Sequence, residues 1–443
     1  MGACGGSITD RHGITVSLAR ERRLYVLGAT LCVALTTCSR NFSERGSPYF
    51  MALLTVAGIV YLLAIRELFA NASYPRRVVI VGLLVAAACQ IAFLIQPAGA
   101  DDDIHRYVWD GRLQRLGYNP YFVIPSDPNA QGLHTGETRT LNNPDLPSLY
   151  PPGAQLFFRA VTAIHESTFA LKVAFFLSNV VIVLVLLDLL RYRRQPAHLI
   201  LVYAWNPLLA VEGSSHIDIV GALLLLLSVA ALLRRWRATA AVTLGLAVAV
   251  KFLPLVLLPL YWKRIRIRDA IVAAAVVGLL YVPFLHHGRI PFGSLGHYLK
   301  SFRFNGPMFA ILHQVASARL LAWLAVLVGL ATAVWLRRSV PEFATDQFAW
   351  PMAASLLFAP VVFPWYLLWL LPFLTSPSTL LIILWTVSII PVYVMWHLRE
   401  IEGSWGALPN WVMVVEYGFL VMAAVTIALR RNTGSAVRLD KAK

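Results

Sequence analysis

Residues 78–111 read VVIVGLLVAAACQIAFLIQPAGADDDIHRYVWDG. The stretch from Val78 to Ile95 is apolar except for Gln90, long enough to cross a hydrocarbon core, and five residues after it come three consecutive aspartates. A membrane helix that ends in carboxylates places charge at one face of a bilayer. The same kind of apolar block recurs before and after it. The 443 residues are 58% hydrophobic and only 14% charged, with a mean hydropathy of +0.67. A soluble chain of that length carries roughly 25% charged residues. The expectation is an all-α polytopic membrane protein with about 12–14 transmembrane helices and a large outer loop after the third span.

The net charge of +16 sits in short connectors, where Lys and Arg set topology. No folded basic domain stands apart from the apolar blocks, so nucleic acid is excluded as a partner. Cys4, Cys32, Cys38 and Cys89 have neither metal-type spacing nor the pattern of a disulfide framework. Reading the basic clusters as cytoplasmic divides the chain into a basic N-terminus (1–23), three spans (24–95), an outer segment with an interfacial helix (96–165), the remaining spans (166–429) and a basic tail (430–443). The apolar block 238–262 has basic flanks on both sides, so it should go out and return, with its turn near Lys251 and Pro254. Residues 347–374, broken at Pro360 and Phe363-Pro364-Trp365-Tyr366, suggest a second such hairpin.

The outer segment holds most of the candidate chemistry. On a helix begun by the aspartates, Asp103, Tyr107, Asp110 and Gln114 share one face. Carboxylates crowded at a membrane surface serve as a general base or as ligands of a divalent cation at Asp101–Asp103. Equally, they cap a juxtamembrane helix. Lys251 is a lone ammonium near the membrane, which is costly unless it meets an anion or snorkels. His216 and Asp218, with Glu212, gather at a turn after Trp205-Asn206-Pro207. Tyr150, Trp365 and Tyr366 fit either a sugar site or an aromatic belt. Phosphate-binding Gly-rich loops, dinucleotide fingerprints and zinc motifs are absent from the sequence. An activated substrate dissolved in the membrane needs none of them.

DDDIHRYVWDGRLQRLGYNPY (101–121) followed by LYPPGAQ (149–155) resembles bacterial polyprenyl-phosphate-mannose-dependent mannosyltransferases of the GT-C fold. These are related to actinobacterial alpha-1,6-mannopyranosyltransferases and, distantly, to the GPI mannosyltransferase catalytic subunit. WNPLLAVE with SHID (205–218), AVKFLP (249–254) and FPWYLLW (363–369) follow in the family's order. The resemblance implies transfer of a sugar, mannose, from a polyprenyl-phosphate donor to a glycan or glycolipid acceptor. It implies a bacterial plasma membrane with the active site on the outer side, and inversion by an Asp base. Asp103 matches the position of that base, followed by Asp102 and then Asp101. The departing phosphate needs a cation: Lys251 first, with Arg106, Arg112 and Arg303 as alternatives. Tyr107, Asp110, Gln114, Tyr150, His216, Asp218, Trp365 and Tyr366 are the candidates for holding sugar and acceptor. Two rival readings remain: a secondary transporter or lipid-linked-glycan flippase with the Asp cluster as ion site, and a non-catalytic subunit of an envelope complex.

Overall fold

The computed structural model describes residues 9–70, 74–99, 102–340, 343–403 and 405–440, with side chains described between 18 and 430. It is helical throughout, and the described residues form only isolated β-bridges. In chain order the helices are α1 (Thr9–Ser39), α2 (Pro48–Ala70), α3 (Arg76–Leu94), α4 (Asp103–Arg115), α5 (Pro152–Ile164) and α6 (Thr168–Tyr192). Next come α7 (Ile200–Ala204), α8 (Pro207–Glu212), α9 (Asp218–Leu233), α10 (Arg237–Val250), α11 (Leu258–Tyr261) and α12 (Ile267–Tyr281). The last are α13 (Leu295–Ser301), α14 (Pro307–Leu312), α15 (Ala318–Ser339), α16 (Ala349–Phe358), α17 (Leu380–Ser388), α18 (Val394–Glu402) and α19 (Asn410–Asp440).

Among the described residues, seven helical stretches are long and apolar enough to cross a membrane, and α9 and α10 are shorter apolar helices. The chain is a multi-pass integral membrane protein. The seven are fewer than the 12–14 passes expected from hydropathy. Part of the difference lies in short apolar helices such as α9 and α10, and part in passages that are apolar yet broken. Asn206 stops one helix by accepting from the Leu208 amide, and Pro207 starts the next. Pro254, Pro259, Pro364, Pro372 and Pro391 each open a short helical piece instead of continuing a long one. Hydropathy counts such passages as spans because it is blind to where backbone bonding stops.

These broken passages lie at the centre. Every residue from Ile200 to Val220 is buried, and neighbours pair several of its polar groups, although Ser214 Oγ meets no hydrogen-bond partner. Trp205 Nε1 donates to the Gly82 carbonyl at 2.8 Å, Tyr61 to the Val202 carbonyl at 2.7 Å, and Asn206 to Thr386 Oγ1 at 2.8 Å. α9, α10 and α12 pack side by side, while α4 lies along α5. Gly153 lets the start of α5 approach the end of α10: a Cβ there would sit 2.8 Å from the Ala249 carbonyl oxygen.

Residues 116–150 lack long helices but fold on a small core of their own: Trp109, Leu113, Ala130 and Leu141. Trp109 stacks on His134 at 4.2 Å. The segment before α13 is clipped to this loop by Ser294 Oγ donating to the Pro147 carbonyl at 2.7 Å, and by Asn119 donating to the Phe284 carbonyl at 2.8 Å.

Candidate active site

Seven segments bring their ends to one recess. α4 contributes Asp103 and Tyr107 from its first turns, and Tyr150 stands two residues before α5. His216 occupies the turn between α8 and α9, and Asp218 opens α9. Lys251 ends α10 in an extended conformation (φ −159°, ψ 145°), so the expected break at this lysine is present. Tyr298 comes from α13, and Trp365, Tyr366 and Trp369 from the short helical turn Pro364–Trp369.

Lys251 is held from two sides. Its Nζ lies 2.8 Å from Asp218 Oδ1 and 3.7 Å from the centre of the Tyr366 ring. Trp369 Nε1 donates to the same Asp218 oxygen at 2.7 Å, and Tyr366 shares a 2.6 Å hydroxyl–hydroxyl bond with Tyr298. Asp218 is buried, whereas the Lys251 side chain keeps 27% of its surface open. An ammonium held by one acid and an aromatic face, with one side open, is arranged for a second anion.

Asp103 is only partly covered, and it accepts a hydrogen bond from the Asn142 amide. Desolvation holds its carboxyl above the ordinary range, opposed by His216, Asn142 and Lys251. His216 is buried, with its ring stacked on Trp365 at 4.1 Å and Nδ1 3.0 Å from Glu212. Burial works against a charged imidazole, but the carboxylates of Glu212, Asp103 and Asp218 together outweigh it and raise the His216 pKa. Tyr107 and Tyr150 meet edge to face at 5.2 Å. Burial pushes both phenols well up, so they stay protonated at neutral pH, and Tyr107 is fully enclosed.

Other residues singled out in the sequence are placed elsewhere. Asp102 is buried and accepts from Arg45 at 2.9 Å through both oxygens, and from the Gly99 amide at 2.8 Å. It therefore anchors the turn after α1 rather than opening to the recess. Asp101 lies outside the described residues. Asp102 and Asp103 turn to different partners, and the described residues include no group of three metal-type ligands. Those two carboxylates do not form a shared cation site.

Asp110 and Gln114 lie on the Asp103 face of α4 but beneath the loop. Asp110 accepts from Ser148, from Gln155 at 2.8 Å and from Arg106 at 3.3 Å, while Gln114 donates to Gln155 Oε1 at 2.9 Å. Arg106 also donates to the Leu146 carbonyl at 2.5 Å. Arg112 pairs with Glu166 at 2.7 Å, and Arg303 folds back on the carbonyls of Phe302 and Lys300 at 2.6 and 2.5 Å. None of these three arginines joins Lys251. Conversely, Tyr298 and Asn142 join the recess without having been marked in the sequence. Tyr298 sits between His297 and Lys300, and a lone tyrosine in an outer loop carries no distinguishing pattern.

Residues 44–264 match the family described as alpha-(1->6)-mannopyranosyltransferase, N-terminal domain. This part of the chain matches a mannosyltransferase family. The mannosyltransferase-like region is about half of the sequence and holds Asp103, Tyr107, Tyr150, His216, Asp218 and Lys251. The aromatic side of the recess, Tyr298, Trp365, Tyr366 and Trp369, comes from beyond it. Comparison with curated proteins and with solved structures finds no match to either.

Proposed function

We propose that the protein is a GT-C-like glycosyltransferase that moves mannose from a polyprenyl-phosphate donor to a hydroxyl of an envelope glycan or glycolipid at the outer face of the plasma membrane. The reading rests on one observation above all: a partly open carboxylate, Asp103, and a partly open ammonium, Lys251, share one recess lined with aromatic rings. A displacement at an anomeric carbon needs those two charges. Asp103 takes the proton from the acceptor hydroxyl. The freed oxygen pair forms the new bond to C1 as the C1–O bond to phosphate breaks. The electrons of that bond pass to the phosphate, and Lys251 stabilises the charge that develops there. One displacement inverts the configuration.

Asp218 and Trp369 act as positioning groups that keep Lys251 in place. Tyr150 and Tyr366 offer the hydroxyls and ring faces that suit a sugar, whereas Tyr107 is fully enclosed, stacked on Phe158 at 4.4 Å, and backs Tyr150 from behind. Asp110 and Gln114 are assigned to the scaffold of the loop rather than to substrate, since both are buried among protein partners.

The test is direct. Purified protein in lipid is given radiolabelled polyprenyl-phosphate mannose and a panel of envelope glycolipids. Label is expected on a glycolipid, with release of polyprenyl phosphate. Transfer only from a different polyprenyl-linked sugar would remove mannose and keep the reaction. No transfer from any lipid-linked sugar would overturn the proposal.

A further inference from the structure

α10 has two charged ends, and the end far from Lys251 borders a cavity of about 290 Å³ lined by Arg235, Arg237, Ala238, Arg266, Arg268 and Asp269. The arginines come from two separate turns, one leading into α10 and one into α12. Among the lining residues Asp269 is the one acid, and it is already engaged. It is buried, accepts from the Arg266 amide at 3.1 Å at the start of α12, and lies 3.7 Å from Arg268. Three positive charges in the wall are left without a balancing acid there.

The backbone adds to the same field. α10 runs for 14 residues and its N-terminus has no side-chain cap. The Arg237 amide donates to the Arg235 carbonyl at 3.0 Å, which leaves the next first-turn amides, at Ala238 and Thr239, to an anion. Arg235 is held at φ +62°, in the left-handed region that a non-glycine residue adopts at a cost. Trp236 and Trp262, next to the two turns, are 61% and 70% exposed. Exposed tryptophans at helix ends mark the depth of lipid headgroups. The tendency of basic residues to gather at one membrane face explains why arginines are on this side. It does not explain why four from two turns surround one cavity with an uncapped helix end.

We propose that this cavity is a phosphate-binding site, and that the headgroup phosphate of an anionic membrane lipid is its ligand. The proposal is independent of the reaction assigned to the recess at the other end of α10.

Two double variants test it: Arg235→Gln with Arg237→Gln, and Arg266→Gln with Arg268→Gln. Arg191→Gln with Arg194→Gln removes the same charge from another basic turn and serves as the control. The whole protein, in detergent, is offered phosphatidylglycerol or phosphatidylcholine, and retained lipid is counted by native mass spectrometry. Retention of phosphatidylglycerol should fall about tenfold or more in each cavity variant and stay near the native level in the control. A second arm measures melting temperature with inorganic phosphate. Lipid retention without a phosphate response identifies a lipid headgroup as the source. A phosphate-dependent rise lost only in the cavity variants identifies soluble phosphate and keeps the site. An equal fall in the control, or native protein that responds to neither ligand, overturns the proposal.

Discussion

The first turn of α4 and its later turns use the same side chains for opposite purposes. Asp110 is fully enclosed, and its oxygens are taken up by Arg106, Ser148 and Gln155. Asp103, two turns earlier on the same face, has one amide partner and an open side. A carboxylate whose oxygens are all engaged by donors holds structure together. One that is desolvated yet incompletely bonded is left able to take a proton. The helix thus anchors a loop with one end and, in the proposed reaction, presents the base with the other.

The largest effect expected from this contrast is at Asp103. Asp103→Asn should lower sugar transfer about 10³-fold, the range for loss of a positioned base. Its melting temperature should stay near native, because the Asn142 contact survives the change. Steady-state transfer and a melting curve in the same lipid give both numbers. A variant that melts early would move Asp103 into the structural class and erase the contrast.

Lys251→Met should come next, with donor kcat/KM lower by roughly 10²- to 10³-fold, as for removal of one group that stabilises developing charge. The cation is held by Asp218 and Tyr366 rather than by acceptor-side groups, so acceptor affinity should change little. Asp110→Asn should behave in the reverse way. Arg106 is buried at 5% side-chain exposure and would lose its carboxylate. Breaking such a pair costs about 3 kcal/mol or more. A lowered melting temperature with a near-native rate per folded molecule is the expected result, and a normal melting curve with lost transfer would reverse the assignment.

Sequence alone reaches most of the recess but not the distinction between those two aspartates. Lys251, His216 and Asp218 stand out because charge is costly in apolar surroundings, and Asp103 because it heads a recognisable run. Asp102 and Asp103 are adjacent, and their separation depends on Arg45, which lies 57 positions away. Helical periodicity puts Asp103 and Asp110 on one face, yet it cannot show that the segment near Ser148 folds over the second. The all-helical membrane fold was likewise legible from hydropathy. Which apolar passages are continuous helices was not, since residues 200–212 and 364–373 are apolar but consist of short pieces. Tyr298 was hidden for a simpler reason: its bond to Tyr366 crosses 68 residues, and neither end announces the other.

The smallest effect sharpens the comparison most, because it concerns what keeps Asp103 usable. Burial raises its carboxyl, which would leave more of it protonated and idle. His216 opposes that shift, and Glu212 at 3.0 Å favours the protonated imidazole by raising its pKa. His216→Gln removes the positive charge while leaving a polar side chain against Trp365. The Asp103 pKa then rises further. The base works when deprotonated, so raising its pKa removes activity from the acidic side of the pH–rate profile. Transfer should fall several-fold at the acidic edge, while the rate at the alkaline plateau stays close to native. A merely structural histidine would instead lower the whole curve without moving its limb. A limb displaced toward lower pH would mean that His216 had been withholding ionisation from Asp103, and the imidazole would have to be assigned to the phosphate side of the recess.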